Sequence, residues 1–189
     1  MARLTRVESQ AQTRQKLLDA ARDMFSRDGY AATSIDRIAD AAGFSKGAVY
    51  SNFAGKEAIF LEVLEALGQA SLDPLLEAID TASGADAVVE LLVAWADDRS
   101  QSGNWSLTIL EHARTADLDT QSLERQREIL RSHWRQLGEK LVGKFAGVSA
   151  EPETLGALMH ELAYAPAMTF VSRPRAGDLV RLSLKAILA

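Results

Sequence analysis

The sequence has no cysteine in 189 residues, which excludes disulfides and thiolate chemistry and is compatible with a reducing compartment. No apolar run approaches the ~20 residues needed to span a bilayer. The first fifteen residues are polar, with Arg3, Arg6 and Arg14, and do not resemble a signal segment. The expected location is the cytoplasm, with no membrane association. Alternating apolar and polar positions of useful length are missing, as are repeats and low-complexity stretches, so the chain is expected to be all-α. Catalytic signatures are also missing. His112, His133 and His160 are scattered, with no H-E-x-x-H pair, no glycine-rich phosphate loop and no nucleophile elbow. Glu111 and His112, being adjacent, point about 100° apart on a helix and cannot face each other. His160 and Tyr164, four apart, can share a polar niche. No metal and no cofactor are expected.

The net charge of −5 argues against a polyanionic partner until its distribution is considered. Residues 1–60 carry nine Lys/Arg against seven Asp/Glu, and the remaining 129 carry twelve against nineteen. A basic head on an acidic body attracts phosphates at one end and keeps the rest of the chain off them.

Within that head, the segment from Thr33 to Lys56, TSIDRIADAAGFSKGAVYSNFAGK, has the layout of two short helices about a turn. Thr33 can cap a helix whose third position is Asp36, where a carboxylate suits the positive helix end. Ile35, Ile38, Ala39 and Ala42 recur at spacings of three and four, one apolar face. Gly43 supplies the positive φ that ends the helix, Phe44 packs under the turn, and Ser45 caps a second helix. Val49 and Phe53 face inward. Lys46, Gly47, Ala48, Tyr50 and Asn52 are left outside. Gly47 and Ala48 are small enough for the helix to lie near a groove floor, and an alanine methyl can meet a thymine methyl. Lys46 can donate to guanine O6 or N7, while Ser45, Tyr50 and Lys56 suit phosphates. Taken singly, Lys46 or Asn52 is better read as an ordinary solvated residue of a surface helix; their joint occurrence shifts the balance to double-stranded DNA.

From about Thr13 to Leu64 the sequence resembles the N-terminal domain of the TetR family of bacterial transcriptional regulators. The matching positions are Thr33 or Ser34, Ile38, Ala39, Ala42, Gly43, Ser45, Gly47, Tyr50, Phe53 and Lys56. The resemblance implies that Ser45 to Asn52 form the recognition helix, with Tyr50 and Lys56 on the DNA backbone and either Thr33 or Ser34 as a phosphate-binding hydroxyl. Ala48 stands where the family commonly has threonine, which removes one hydroxyl. The resemblance further implies a homodimeric, ligand-responsive repressor of a palindromic operator.

The expected organisation is a helix-turn-helix domain over 1–56, a linking helix over about 57–68, and a helical effector-binding and dimerisation domain over 69–189. A helix from Gln12 to Arg27, ended by Asp28-Gly29, supports the DNA-reading pair. A fourth helix runs from Lys56 through Leu67. Later helices are expected near Asp73 to Thr81, Ala85 to Arg99, Trp105 to Ala116, Asp119 to Phe145, Pro152 to Val171 and Gly177 to Leu188, with Gly84, Gly103, Gly147 and Pro174 between them. Pro166 is expected to kink or interrupt its helix.

The last helix is apolar on two faces, Leu179, Leu182 and Ala186 on one and Val180, Leu184, Ile187 and Leu188 on another. With Leu155, Leu158, Met159, Leu162 and Met168 on the preceding helix, this predicts a four-helix homodimer interface. Trp95, Trp105 and Trp134 fall on three predicted helices, so they either fill the core or wall a small-molecule pocket, with Asn104, His112, His133 and Tyr164 as polar contacts. An apolar or aromatic ligand is expected rather than a strongly charged one. Two alternatives are a C-terminal domain that binds a protein and an all-α enzyme that kept the motif as scaffold.

Overall fold

Thr5 and Glu8 open the first helix through a reciprocal cap: the Glu8 N–H donates to the Thr5 hydroxyl at 3.3 Å and the Thr5 N–H donates to the Glu8 carboxylate at 2.7 Å. The computed structural model describes residues 5–101, 104–116 and 121–188. Among these, nine helices and no strand occur: α1 (Arg6–Ala32), α2 (Ile35–Ala42), α3 (Lys46–Asn52), α4 (Lys56–Thr81), α5 (Ala85–Gln101), α6 (Trp105–Thr115), α7 (Gln121–Lys144), α8 (Pro152–Thr169) and α9 (Ala176–Leu188). The fold is all-α. Arg3, the break at Gly103 and the expected helix start at Asp119 lie outside the described residues.

Two elements differ from expectation. Helix α1 begins earlier than Gln12 because of the Thr5 cap; its regular helical backbone breaks at Gly29, with φ 82° and ψ 177°, where Asp28-Gly29 is expected to end it, and a short further turn reaches Ala32. The separate helices expected on either side of residue 70 are one continuous α4 with Pro74 inside. A proline there costs the hydrogen bond to the Ala70 carbonyl, and both residues are exposed, so the loss falls on the solvent side of the helix. Helix α8 likewise continues through Pro166 to Thr169 and is not interrupted.

Helix α4 joins two apolar cores. Its first half places Ile59, Phe60, Val63 and Leu64 with Leu17, Phe25, Tyr30, Ile38, Val49 and Phe53, while its second half places Leu72, Leu75 and Ile79 with residues of α5, α7, α8 and α9. Trp105 and Ile129, from α6 and α7, also belong to the first core. The helix-turn-helix head is therefore sealed by residues distant in sequence.

Helices α7 and α8 approach closely because of two glycines. A Cβ on Gly138 would stand 1.7 Å from the Pro152 carbonyl oxygen, and one on Gly156 would stand 1.7 Å from that of Trp134.

Part of the expected dimer surface is core of the same chain. Leu155, Met159, Val180 and Leu184 are buried, Val180 and Leu184 completely. Helix α9 lays that face on α5 and α8, and the Gly177 N–H donates to Asp97 at 2.7 Å to fix its start. Ile187 and Leu188 also pack against this core, half-buried. Solvent meets the other face, where Leu182 is 69% exposed, beside Leu179, Ala186 and, on α8, Leu158 and the half-buried Leu162.

Candidate nucleic-acid interface and ligand cavity

Helices α2 and α3 are set by local chemistry. Gly43 adopts φ 75° and ψ 30°, its N–H donating to the Asp40 carbonyl, and Phe44 donates to the Ala39 carbonyl, closing α2. Ser45 caps α3 by accepting from the Ala48 N–H at 3.3 Å. Val49 is fully buried and Phe53 nearly so, with the Arg14 guanidinium 4.4 Å over the Phe53 ring. The outer face of α3 carries Ser45, Lys46, Gly47, half-exposed Ala48 and Tyr50, whose ring is 54% exposed. A Cβ on Gly47 would have only the Ser45 Oγ near it, at 3.7 Å, so nothing covers this part of the helix.

Four expected contact residues are engaged within the chain. Thr33 is buried and its hydroxyl donates to the Gly29 carbonyl at 2.8 Å, which corrects its expected role as helix cap and surface hydroxyl. The α2 cap is Ser34, half-exposed, accepting from the Arg37 N–H. Asn52 turns its amide back onto the Ala48 carbonyl at 2.8 Å, leaving its Oδ1 buried without a partner. Lys46 pairs with Asp36 at 2.9 Å on the surface. Lys56 donates to the Tyr30 carbonyl at 2.9 Å and stands 4.0 Å over the Tyr30 ring, and burial pushes its ammonium pKa below the ordinary lysine value.

The second site lies where α4, α5, α6, α7 and α8 meet. Trp95, Arg99, Trp105, His133, His160 and Tyr164 are among the residues lining a cavity of about 20 Å³, room for about one water. Ile109, Leu130, His160 and Tyr164 also line a neighbouring cleft of about 340 Å³, walled further by Leu110, Trp134 and Met168. The cavity thus gathers Trp95, Trp105, His133 and Tyr164, and the cleft adds Trp134. Asn104 instead lines a separate groove beside Pro166 and Arg175. His112 is corrected as a pocket contact: its ring sits edge-on to Tyr30 at 4.9 Å and against Phe60 at 4.5 Å, Nδ1 meets Gln126 Oε1 at 2.5 Å, and Nε2 meets Ser122 Oγ at 3.2 Å.

Helix α6 connects the two sites. Trp105, Ile109 and His112 follow at helical spacing, the first two at the cavity and the third against the head. Between them the Thr108 hydroxyl donates to the Phe25 carbonyl at 3.0 Å. The Ala31 N–H, just before α2, donates to the Glu111 carboxylate at 3.0 Å, and that carboxylate lies so close over Gly29 that a Cβ there would be 2.7 Å away.

A profile of the family described as bacterial regulatory proteins, tetR family, matches residues 17–63, the segment holding most of α1, all of α2 and α3, and the start of α4. AcrR, an HTH-type transcriptional regulator of Shigella flexneri, is 46% identical over 65 residues, which is 34% of this chain and 30% of AcrR. The chain belongs to the TetR family. Across the first curated TetR relatives, the matched segment spans 30% to 52% of their own length. Over nearly the whole TetR-family chain the likeness is one of fold. The transcriptional regulator SCO7518 from Streptomyces coelicolor A3(2) has a TM-score of 0.73 at 21% identity, covering 94% of this chain and 99% of that one. FadR from Bacillus subtilis, solved in complex with stearoyl-CoA, has a TM-score of 0.69 at 16% identity, covering 93% and 97%. No helix of this TetR-family chain is long and apolar enough to cross a membrane among the described residues, and no group of three or more His, Asp or Glu among them could hold a metal ion.

Sequence reasoning passed over Arg99 and Glu111 in the TetR-family chain. Arg99 follows Asp97 and Asp98, which look like a solvated charge run, yet Leu92, Trp95, Ala96 and Arg99 share one helical stripe and all four are buried. That stripe was the available signal. Glu111 had none, because its partner is the Ala31 backbone N–H, eighty residues earlier.

His160 has the most perturbed proton equilibrium here. Burial, then the neighbouring Arg99 charge and His133, push it from 6.5 down to about 3, with its ring edge-on to Trp95 at 5.0 Å. The folded chain therefore holds His160 neutral where the unfolded chain protonates it. Its contribution is fully present above pH 6.5 and is lost as pH falls toward 3. At pH 5 the loss amounts to about 2 kcal/mol, and His133, also pushed down by burial, acts in the same direction. Urea unfolding at pH 7.5 and pH 5 should show His160→Gln losing about 2 kcal/mol less than the wild type between the two. Equal losses would remove His160 as the cause.

Proposed function

We propose that this TetR-family chain is a homodimeric transcriptional repressor whose α3 reads a palindromic operator and whose C-terminal cavity and cleft take a small-molecule effector. The observation that carries the reading is the outer face of α3, where Ser45, Lys46, Gly47, Ala48 and Tyr50 stand uncovered within residues 1–60, the part of the chain in which Lys and Arg outnumber Asp and Glu. Ser34 at the N-terminus of α2 adds a hydroxyl where phosphate is favoured. The apolar stripe of exposed Leu158, Leu182 and Ala186 with half-buried Leu162 and Leu179 supports pairing through α8 and α9. Two copies so joined would place their heads in successive major grooves.

Helix α6 supports the coupling. A ligand that moves Trp105 or Ile109 also moves Glu111 and His112, and through them the Gly29 to Ala31 turn that carries α2. Such a ligand weakens operator binding only by its difference in affinity for the two head positions; ~1 to 3 kcal/mol changes it about 5- to 150-fold. The FadR complex shows that a chain of this fold takes a long-chain ligand, which supports a small molecule over a protein as the regulator.

The test begins with operator selection from random duplexes by the purified protein. Tyr50→Phe should weaken every selected site by roughly five- to tenfold, the loss of one hydrogen bond to a charged phosphate. Lys46→Ala should shift base preference at one position per half-site with a smaller change in overall affinity. Lys56→Ala should lower the melting temperature of the head as well as DNA affinity, since its ammonium holds the Tyr30 carbonyl. If Tyr50→Phe and Lys46→Ala both bind the selected duplex as the wild type does, α3 is not the reading helix.

A further inference from the structure

Arg99 is a buried cation without an anion. It is 9% exposed, forms none of the ion pairs among the described residues, and its Nε–H has no hydrogen-bond partner. Its one hydrogen bond goes from Nη2 to the Tyr164 hydroxyl, with the guanidinium 5.4 Å from that ring's centroid. A phenol is a neutral acceptor and compensates a desolvated guanidinium poorly; a carboxylate accepting two parallel N–H bonds compensates it well. The other polar groups at the cavity cannot serve as the anion. Trp95 is a donor whose N–H goes to Ser71 at 3.0 Å, and the imidazoles of His133 and His160 are neutral or cationic, so none supplies negative charge. His160 Nε2 is itself buried without a partner, so two residues with unmet polar atoms line the same small space.

We propose that the effector of this chain is an amphiphilic monocarboxylate whose carboxylate displaces the Tyr164 hydroxyl on Arg99 and whose apolar tail lies in the cleft along Leu110, Leu130, Trp134 and Met168. The inference rests on the effector reading above and names the chemical class of its ligand. It departs from the apolar or aromatic ligand expected from the sequence, because the burial of Arg99 is set by tertiary packing. One uncompensated positive charge matches one negative charge, so a carboxylate fits better than a phosphate dianion. The cavity itself, at about 20 Å³, is smaller than a carboxylate group needs with its first methylenes. Tyr164 lines both cavity and cleft, so its swing away from Arg99 merges the two spaces.

The experiment uses the full chain with three probes of one tail: decanoate, decan-1-ol and decyl phosphate, followed by tryptophan fluorescence and thermal shift. Decanoate should bind at least about tenfold more tightly than the alcohol, as a charge-assisted pair requires, and decyl phosphate should bind no better than decanoate. Arg99→Met should bring decanoate to the affinity of the alcohol and leave the alcohol unchanged. The same variant should raise the melting temperature of the ligand-free protein, since removal of an uncompensated buried charge is stabilising, whereas loss of a structural arginine would lower it. Arg99→Lys, which keeps the charge without the fork, should fall between. Equal binding of decanoate and decan-1-ol to the wild type, no binding of any probe, or retention of the carboxylate preference in Arg99→Met would each overturn the proposal. Affinity for decanoate measured with and without the selected operator separates this from the effector reading: Arg99-dependent binding that ignores operator keeps the carboxylate site and removes its regulatory role.

Discussion

Leu184→Arg should unfold the C-terminal core, while Leu182→Arg, two residues earlier, should part the proposed dimer and leave each chain folded. Both residues lie on α9, and the expected difference comes wholly from which way each points. Leu184 is completely buried among α5, α8 and α9, with no carboxylate in that core to meet a guanidinium. An arginine there leaves an unpaired charge in apolar surroundings at a cost of about 3 to 5 kcal/mol, a large part of a domain's whole stability. Leu182 is 69% exposed in the single chain. An arginine at that position costs the isolated chain within about 0.5 kcal/mol, but sets like charges against each other where two α9 helices would pair in the proposed dimer. Circular dichroism melts and light scattering on the same samples distinguish the two. A dimeric Leu182→Arg at micromolar concentration would place the interface elsewhere, and a normally stable Leu184→Arg would contradict the packing of α9.

Gly156→Ala and Gly138→Ala should each destabilise the chain by about 3 kcal/mol or more, well above the usual range for adding one methyl. The new Cβ would meet a backbone carbonyl oxygen of the facing helix at 1.7 Å in both cases, and backbone cannot rotate aside as a side chain can. The only relief is separation of α7 from α8, which loosens Leu137, Leu141, Leu155 and Met159 together. Gly143→Ala is the control, since a Cβ there meets nothing within 4 Å. Being inside α7, it should stabilise by up to about 1 kcal/mol through helix propensity alone. Equal denaturant midpoints for all three variants would show that the crossing is not as close as described.

The helix-turn-helix was legible in sequence because its determinants are local. Ser45 caps its helix by accepting from an N–H three residues ahead of itself, Gly43 takes the left-handed angle that glycine alone adopts cheaply, and Val49 and Phe53 lie one turn apart on the buried side. Helix order in the rest of the chain was legible for the same reason, since apolar spacing reports a buried face wherever that face goes, but the number was one too high. At α4 the local rule misled: Asp73 and Pro74 look like a helix start, but a proline on the solvent side of a helix costs little when both halves are packed.

What each buried face packs against was decided only by tertiary structure. Thr33 and Ser34 are adjacent hydroxyls with equal capping chemistry, and Thr33 became the buried one because the kink at Gly29 presents it with a carbonyl. Trp105 joined the core of the head, not that of the C-terminal domain, because α6 lies along α1. Helical periodicity shows that α9 has two apolar faces, yet it cannot rank them. Leu184 is inside and Leu182 outside because α5 and α8, contributed by distant parts of the chain, occupy one side of α9. Arg99 is the strongest case. Its neighbours in sequence are aspartates, but its neighbours in space are Tyr164, His133 and His160 across two other helices, and a charge's environment is set by what stands a few ångströms away through space.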